Sequence, residues 1–396
     1  MKGIVLFVCL LIAGRAFAQS YHKIHRKAIV VDTHNDILMK ATDDLLLYNK
    51  DGWFAFDQDL SGKAHSDLAR WKRGGLDLQV FSVFCEGTMK DPFRFANRQM
   101  DTLDAVAGRQ SARFVKVATS AELYRAVNQH KMAAMFGVEG GHMIEDDLAK
   151  IDSLYKRGAR YMTLTWNNST AWATSALDET FSKSLPHKGL NGFGRQVVQR
   201  MNALGMMVDV SHAGEQTFRD VIETTSKPII ASHSSVYALC PHQRNLKDDQ
   251  IRAIAKNGGV IQINFFPGFI DSSFSRKEAA FYSRHAREVD SLTKAGVSEW
   301  GVQDRLHHLY EEETNAIRPP LSMVIDHIDY IVRLVGADYV GLGSDFDGIP
   351  LTPMQLDDVS TYPLITKALL EKGYSKTDIT KILGGNFLRV LKANEK

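Results

Sequence analysis

Val30-Val31-Asp32-Thr33-His34-Asn35-Asp36 is the stretch from which the fold can be read outward. A β-branched run ends in a His and an Asp two positions apart. In a strand, residues i and i+2 lie on the same face. One strand end thus presents an imidazole and a carboxylate to a common point, and both are ligand types that a zinc-class cation accepts. Alone, the pair reads more simply as a buried histidine beside a helix-capping aspartate. The choice depends on how the later strands end.

Eight apolar, β-rich runs can be marked, at 28–33, 77–84, 132–138, 160–165, 206–211, 228–232, 259–265 and 339–344. Most are continuously apolar, the pattern of strands covered on both faces. Amphipathic helical patterns separate them. Those at 146–157, 192–204, 248–256 and 322–334 stop at Gly158, Gly205, Asn257-Gly258 and Gly336, residues suited to helix C-caps. Strands alternating with helices imply parallel pairing, and eight units predict an α/β fold of the TIM-like (β/α)8 barrel type. Two stretches depart from regularity. Residues 37–76 hold more than one helix. Residues 267–320, after the seventh strand, are too polar for barrel core and predict a helical insertion: a lid, a subunit contact or a solvated excursion.

The chain has 396 residues, 44% apolar and 24% charged, which suits a globular protein with a sizeable core. A net charge of +2 gives no nucleic-acid footprint. At the N-terminus Lys2 precedes the apolar run Ile4–Ala13, and Ala16-Phe17-Ala18 follows. This order predicts a signal peptide over residues 1–18, cleaved after Ala18, and a periplasmic or secreted location. Residues 19–396 then form a single barrel domain. The apolar run is too short for an ordinary membrane span, and no hydrophobic C-terminal tail suggests a glycolipid anchor, so no stable membrane anchor is expected. Of the cysteines, Cys85 and Cys240 remain after cleavage and are expected as buried thiols without a nucleophilic role.

The strand ends carry the chemistry. They read His34-Asn35-Asp36, then Glu139-Gly140-Gly141-His142, Thr165-Trp166-Asn167-Asn168, Ser211-His212, Ser232-His233 and Ser344-Asp345-Phe346-Asp347. In a barrel these carboxyl ends converge on one mouth. A buried polar group there without a partner costs a few kcal/mol, and a shared cation relieves that cost. The ligand count points to two metals: His34 and Asp36 on one, His212 and His233 on the other, with Glu139 bridging. Such a pair polarises a substrate oxygen and generates hydroxide at neutral pH. Asp345 is left to carry a proton from water to a leaving amine. It is preferred over Asp347, which precedes Gly348 as a turn residue does. His142, beyond a Gly-Gly turn, reads as loop.

Taken together, these segments, with Gln243-Arg244-Asn245, resemble the membrane dipeptidase (renal dipeptidase) family of zinc peptidases over most of the mature chain. The resemblance implies a bacterial secreted member with a barrel fold and a binuclear zinc site (two Zn2+) made of the same five ligands. It implies Asp345 as proton carrier, Arg244 as the grip on the carboxylate of a dipeptide substrate, and a homodimer. Arg244 offers the bidentate fork that suits a carboxylate. One departure touches the substrate site. Mammalian members carry a His after Thr-Leu-Thr where this chain has Trp166, so Trp166 and Asn167 become candidate substrate contacts. The reading is a zinc dipeptidase acting on dipeptides, L,D-dipeptides among them. Its rivals are another binuclear-metal amidase or lactonase on the same barrel, and a secreted binding protein on a barrel that has lost its ligands. None of the five ligands is missing.

Overall fold

The computed structural model describes residues 21–43 and 47–396; the expected signal peptide lies outside them. Among the described residues nine strands form one sheet: β1 Val31–Asp32, β2 Leu78–Phe84, β3 Phe114–Lys116, β4 Met132–Glu139, β5 Ala159–Thr163, β6 Met207–Asp209, β7 Ile230–Ala231, β8 Val260–Ile263 and β9 Val340–Leu342. Their order is β1-β2-β4-β5-β6-β7-β8-β9, with β3 paired to the start of β4. Every pairing is parallel. The two ends of this row meet. Thr33 N donates to Leu342 O at 3.1 Å, Asp345 N to His34 O at 3.2 Å and Asp36 N to Phe346 O at 2.9 Å. Asn35 also bridges Phe346 in parallel. The eight strands of the row thereby close into a TIM-like (β/α)8 barrel, each lying within or overlapping one of the expected runs. The short strand β3 was not expected. It buries only Phe114 fully, and three residues are too few to show a period.

Alternation along each strand sorts side chains between the inside and outside of the barrel. On β2, Phe81 packs against Trp71 and Phe56 from the surrounding elements. Leu78 and Val80 face the other way and join Val31, Met135, Tyr161, Met207, Ile230 and Val260 in an interior cluster. The C-terminal helix Asn386–Asn394 adds Phe387, Val390 and Leu391 to that cluster and so closes the amino-terminal end of the barrel. The opposite, carboxyl end is left for polar groups.

Between β8 and the outer helix Leu321–Val335 the chain folds as helices Pro267–Ile270, Phe274–Arg284, Ala286–Lys294, Glu299–Leu309 and Glu311–Ile317. Phe274, Phe281, Val302, Leu306 and Ile317 bury against Leu351 in a small core of their own. Cys85 and Cys240 are buried and form no disulfide. No helix among the described residues is long and apolar enough to cross a membrane.

Candidate active site

At the carboxyl mouth the strand ends bring their side chains to one point. Four short distances run from imidazole Nε2 atoms to carboxylates. His34 Nε2 stands 3.4 Å from Asp36 Oδ2 and 3.2 Å from Glu139 Oε2. His212 Nε2 and His233 Nε2 stand 2.9 and 3.4 Å from the other oxygen of Glu139, Oε1. Glu139 therefore lies between His34 on one side and the His212–His233 pair on the other. Asp345 Oδ1 is 4.0 Å from His34 Nε2. All five ligand candidates are buried. Two overlapping groups have metal-ligand spacing: His34 with Glu139 and His233, and His34 with Asp36 and Asp345.

The hydrogen bonds behind the ring show which nitrogen of each imidazole bears its proton. Tyr161 Oη donates to Thr33 O, so at 2.9 Å it accepts from His34 Nδ1. Ser232 Oγ donates to Asp209, so at 2.8 Å it accepts from His233 Nδ1. Asn167 Oδ1, an acceptor, takes His212 Nδ1 at 3.1 Å. With Nδ1 carrying a proton in each ring, Nε2 is the atom turned into the cluster: a lone pair on neutral His212 and His233, and on His34 the place where a proton or a metal ion is held. The lone pairs of His212 and His233 face one another at 3.0 Å, and both face a carboxylate oxygen. Neutral or anionic groups alone cannot satisfy that arrangement; a cation satisfies all of it. His34 Nε2 and Asp36 Oδ1 are buried with no hydrogen-bond partner, each a cost of about 1–3 kcal/mol unless a ligand supplies one.

Charge balance agrees. Burial, with the Arg244 guanidinium adding to it, pushes the His212 imidazole down to about 3. Burial and the nearby His34 charge hold His233 well below its usual range. Both rings are thus in the neutral form that binds metal. Burial works against a charge on His34, yet Tyr161, Asp36 and Glu139 outweigh it and hold that imidazole well above its usual range. The site stabilises positive charge at His34 Nε2. For Asp345, burial outweighs the pull of His34, and Asp36 and Glu139 add to the rise, so its carboxyl is lifted to about 7. Asn264 Nδ2 donates to its Oδ2 at 2.8 Å. His212 and Asp345 both hold positive φ, 64° and 65°, a strained backbone for non-glycine residues of the kind found where a side chain must be aimed.

A cavity of about 370 Å3 opens over these groups, lined by Asp36, Glu139, His212 and Asp345, and by Arg244, Trp166 and Asn167. Arg244 is 5% exposed, forms no ion pair, donates one bond to His233 O at 3.3 Å and leaves Nε without a partner. Burial lowers it to about 10, which keeps the guanidinium charged at neutral pH. Phe269 supports it, the charge lying 5.4 Å from the ring centroid. Trp166 packs against Phe84 with centroids 4.9 Å apart and walls the cavity near His212. Asn167 lines the cavity too, but its carboxamide oxygen is committed to His212.

Asp347 is turned elsewhere, accepting from His65 N at 2.6 Å, and it does not line the cavity. His142 Nε2 meets Cys85 O at 3.0 Å. Reasoning from sequence passed over the residues that hold the ligands: Tyr161, Asp209, Ser232 and Asn264. It also passed over Glu278, Glu299 and Trp300, which reach the cavity from the helical segment after β8.

Comparison with known proteins bears on what this arrangement does. Residues 18–396 match the family model described as membrane dipeptidase (peptidase family M19). A relative in Schizosaccharomyces pombe, described as an uncharacterized dipeptidase, is 33% identical across 95% of this chain and 83% of its own length. The probable dipeptidase PvdM of Pseudomonas aeruginosa shares the fold with a TM-score of 0.76 at 24% identity, covering 96% of this chain and 99% of that one. A metallopeptidase of Rhodobacter sphaeroides, solved with a phosphinate mimic of the dipeptide L-Ala-D-Ala, shares it with a TM-score of 0.72 at 22% identity, covering 93% and 99%. The chain therefore belongs to the membrane dipeptidase family, peptidase family M19, and is a metallo-dipeptidase, a hydrolase of peptide bonds.

Proposed function

We propose that this metallo-dipeptidase works with two zinc ions and cleaves dipeptides, L,D-dipeptides among them, outside the cytosol. His34 and Asp36 would hold one ion, His212 and His233 the other, and Glu139 would serve both. The observation that supports this reading most is the set of Nε2 lone pairs fixed by Tyr161, Ser232 and Asn167 and converging on Glu139. When bound, the metal pair supplies Lewis acidity toward the scissile carbonyl and lowers the pKa of water at the site.

The protein's own groups do the rest. Arg244, charged and with an unused N–H, binds the terminal carboxylate of the substrate and so fixes which peptide bond lies over the ligands. Asp345, with its carboxyl near 7 and one oxygen anchored by Asn264, can hold a proton at neutral pH and release it to the leaving amine. Trp166 and Phe84 restrict water on one side of the substrate, and Asn167 offers a polar contact beside them. The Lys2–Ala18 pattern supports export, and the family resemblance supports a homodimer.

The test is hydrolysis of L,L- and L,D-dipeptides and of a neutral lactone by chelated protein with and without returned zinc. Zinc-dependent release of amino acids, with kcat/KM falling about 10²–10³-fold in Arg244→Ala, is the expected result for loss of a charge-assisted carboxylate contact. Lactone turnover that ignores Arg244→Ala, without dipeptide turnover, would replace this reading with the lactonase one.

A further inference from the structure

The cavity over the catalytic groups has a charge imbalance that the hydrolytic machinery leaves unused. Among the described residues, Arg244 is the only Lys or Arg on its wall, whereas six carboxylates face it. Asp36 and Glu139 belong with the metals and Asp345 with a proton. Glu86, Glu278 and Glu299 have no such counterpart. None of the three has an ion-pair or side-chain hydrogen-bond partner among the described residues, and all lie on the wall of a cavity that also holds the unused N–H of buried Arg244. Glu278 and Glu299 lie on two helices of the segment after β8, Phe274–Arg284 and Glu299–Leu309, with the helix Ala286–Lys294 between them in the chain. Both line the one cavity, which brings the two helices together at its wall. Trp300, 44% exposed, stands beside Glu299 and lines the same cavity.

A dipeptide occupies this cavity during turnover, and each dipeptide brings one α-ammonium. Glu86 and Glu299 are exposed and Glu278 is half-buried, so water solvates them until a substrate displaces it, and one ammonium then neutralises only one of the three. A second cation on the substrate would meet the remainder, and Trp300 offers it an aromatic face. The position of that cation follows from Arg244. A basic side chain on the C-terminal residue would share its carbon with the carboxylate that Arg244 grips, and like charges would repel there. A basic side chain on the amino-terminal residue faces no such penalty. We infer that the helical segment after β8 is a specificity element, and that Glu278, Glu299 and Trp300 with Glu86 select dipeptides whose amino-terminal residue has a cationic side chain. This rests on the dipeptidase reading and names its substrate class.

The experiment uses the metal-loaded full chain and compares kcat/KM for Lys-Ala, Ala-Ala, Glu-Ala and Ala-Lys at low and high salt. Lys-Ala should be favoured over Ala-Ala by about tenfold, the sum of a few partly exposed ion pairs, and the preference should shrink as salt screens them. Glu-Ala should be the poorest. The Lys-Ala to Ala-Ala ratio should fall toward one in the double variant Glu278→Gln, Glu299→Gln. It should stay at its original value in Glu312→Gln, an exposed carboxylate of the same segment that does not line the cavity. Calorimetric binding of phosphinate dipeptide mimics with Lys or Ala at the amino-terminal position gives the same ratio without catalysis. A ratio near one in the original protein, a ratio untouched by the double variant, or a preference for Ala-Lys over Lys-Ala overturns the proposal. Failure of every dipeptide to turn over would instead count against the reading of the site, and the calorimetric ratio then decides the specificity proposal by itself.

Discussion

His34 offers its Nε2 lone pair to the site because Tyr161 Oη, held by Thr33 O, occupies its Nδ1. The ring of Tyr161 reaches that position through the barrel interior, over Gly137 of β4. A Cβ added at Gly137 would lie 2.0 Å from Tyr161 Cζ, so only glycine fits there. Tyr161→Phe keeps the packing and removes the hydroxyl. The expected result is a metal affinity lower by about 10–100-fold, as for other partners that orient a ligating histidine. Competition with a chromophoric chelator measures it, and an unchanged affinity would show that the tautomer of His34 is set by something else. The ligands themselves were legible in the sequence because His, Asp and Glu recur at the ends of apolar runs, where nothing in a core requires them. Tyr161 was not, since a tyrosine inside an apolar run reads as core. Its function depends on which strand lies across the barrel. Asn264 and Ser232 were hidden for the same reason.

At the other end of the strands, Asp77 ties β1 to β2 just before the ladder begins. Its carboxylate accepts from Val30 N at 2.9 Å, and its own N–H donates to Val30 O at 2.9 Å. Burial raises its carboxyl from 3.8 to about 6, against the smaller effect of the Val30 bond. The sign follows from where the proton is held more tightly. The folded state binds it better, so stability falls as pH rises from about 4 to about 6 and stays lower above that. Asn at this position keeps the acceptor for Val30 and removes the buried charge. Asp77→Asn is therefore expected to stabilise the protein by about 1–3 kcal/mol near pH 7.5 and to have little effect near pH 4. Thermal melts of the two proteins at both pH values check this, and an equal gap at both would mean that burial of charge is not the cause. This clamp lies where the element boundaries were readable: β2 and β4 were visible as long apolar runs. Strand β3 escaped because it is three residues long, and β7 covers only Ile230–Ala231 of its expected run, the chain leaving the ladder just before His233. The polar stretch after β8 was legible as helical. Its reach into the catalytic cavity was not, since that depends on how the segment packs against Leu351 and the barrel mouth.

Across the whole molecule, the barrel divides its two ends by chemistry. The C-terminal helix seals one end with apolar side chains, and the other end gathers carboxylates and imidazole lone pairs that only a cation reconciles. Metal binding should therefore contribute to the stability of the fold as well as to catalysis. A ligand at a hundred times its Kd adds about 2.7 kcal/mol to the native state. In a chain of this size each kcal/mol moves the melting temperature by about 1–1.5 °C, so chelation should lower Tm by about 3–4 °C, and returned metal should restore it. The effect should depend on pH, because the metal-free protein has Asp345 with its carboxyl lifted to about 7. A carboxyl raised in the folded state makes that state less stable as pH climbs toward its folded value, and the penalty is complete above it. Protons also compete with metal for His34, whose imidazole the site holds well above its usual range. Both effects act in the same direction: the Tm gap between metal-loaded and chelated protein should be wider near pH 8 than near pH 6. Asp345→Asn removes the raised carboxyl and should narrow the gap at the higher pH. Calorimetric melts of both proteins, loaded and chelated, at the two pH values decide it. Equal Tm with and without metal would mean that the mouth is held by its hydrogen bonds alone, with the cation adding nothing to the fold.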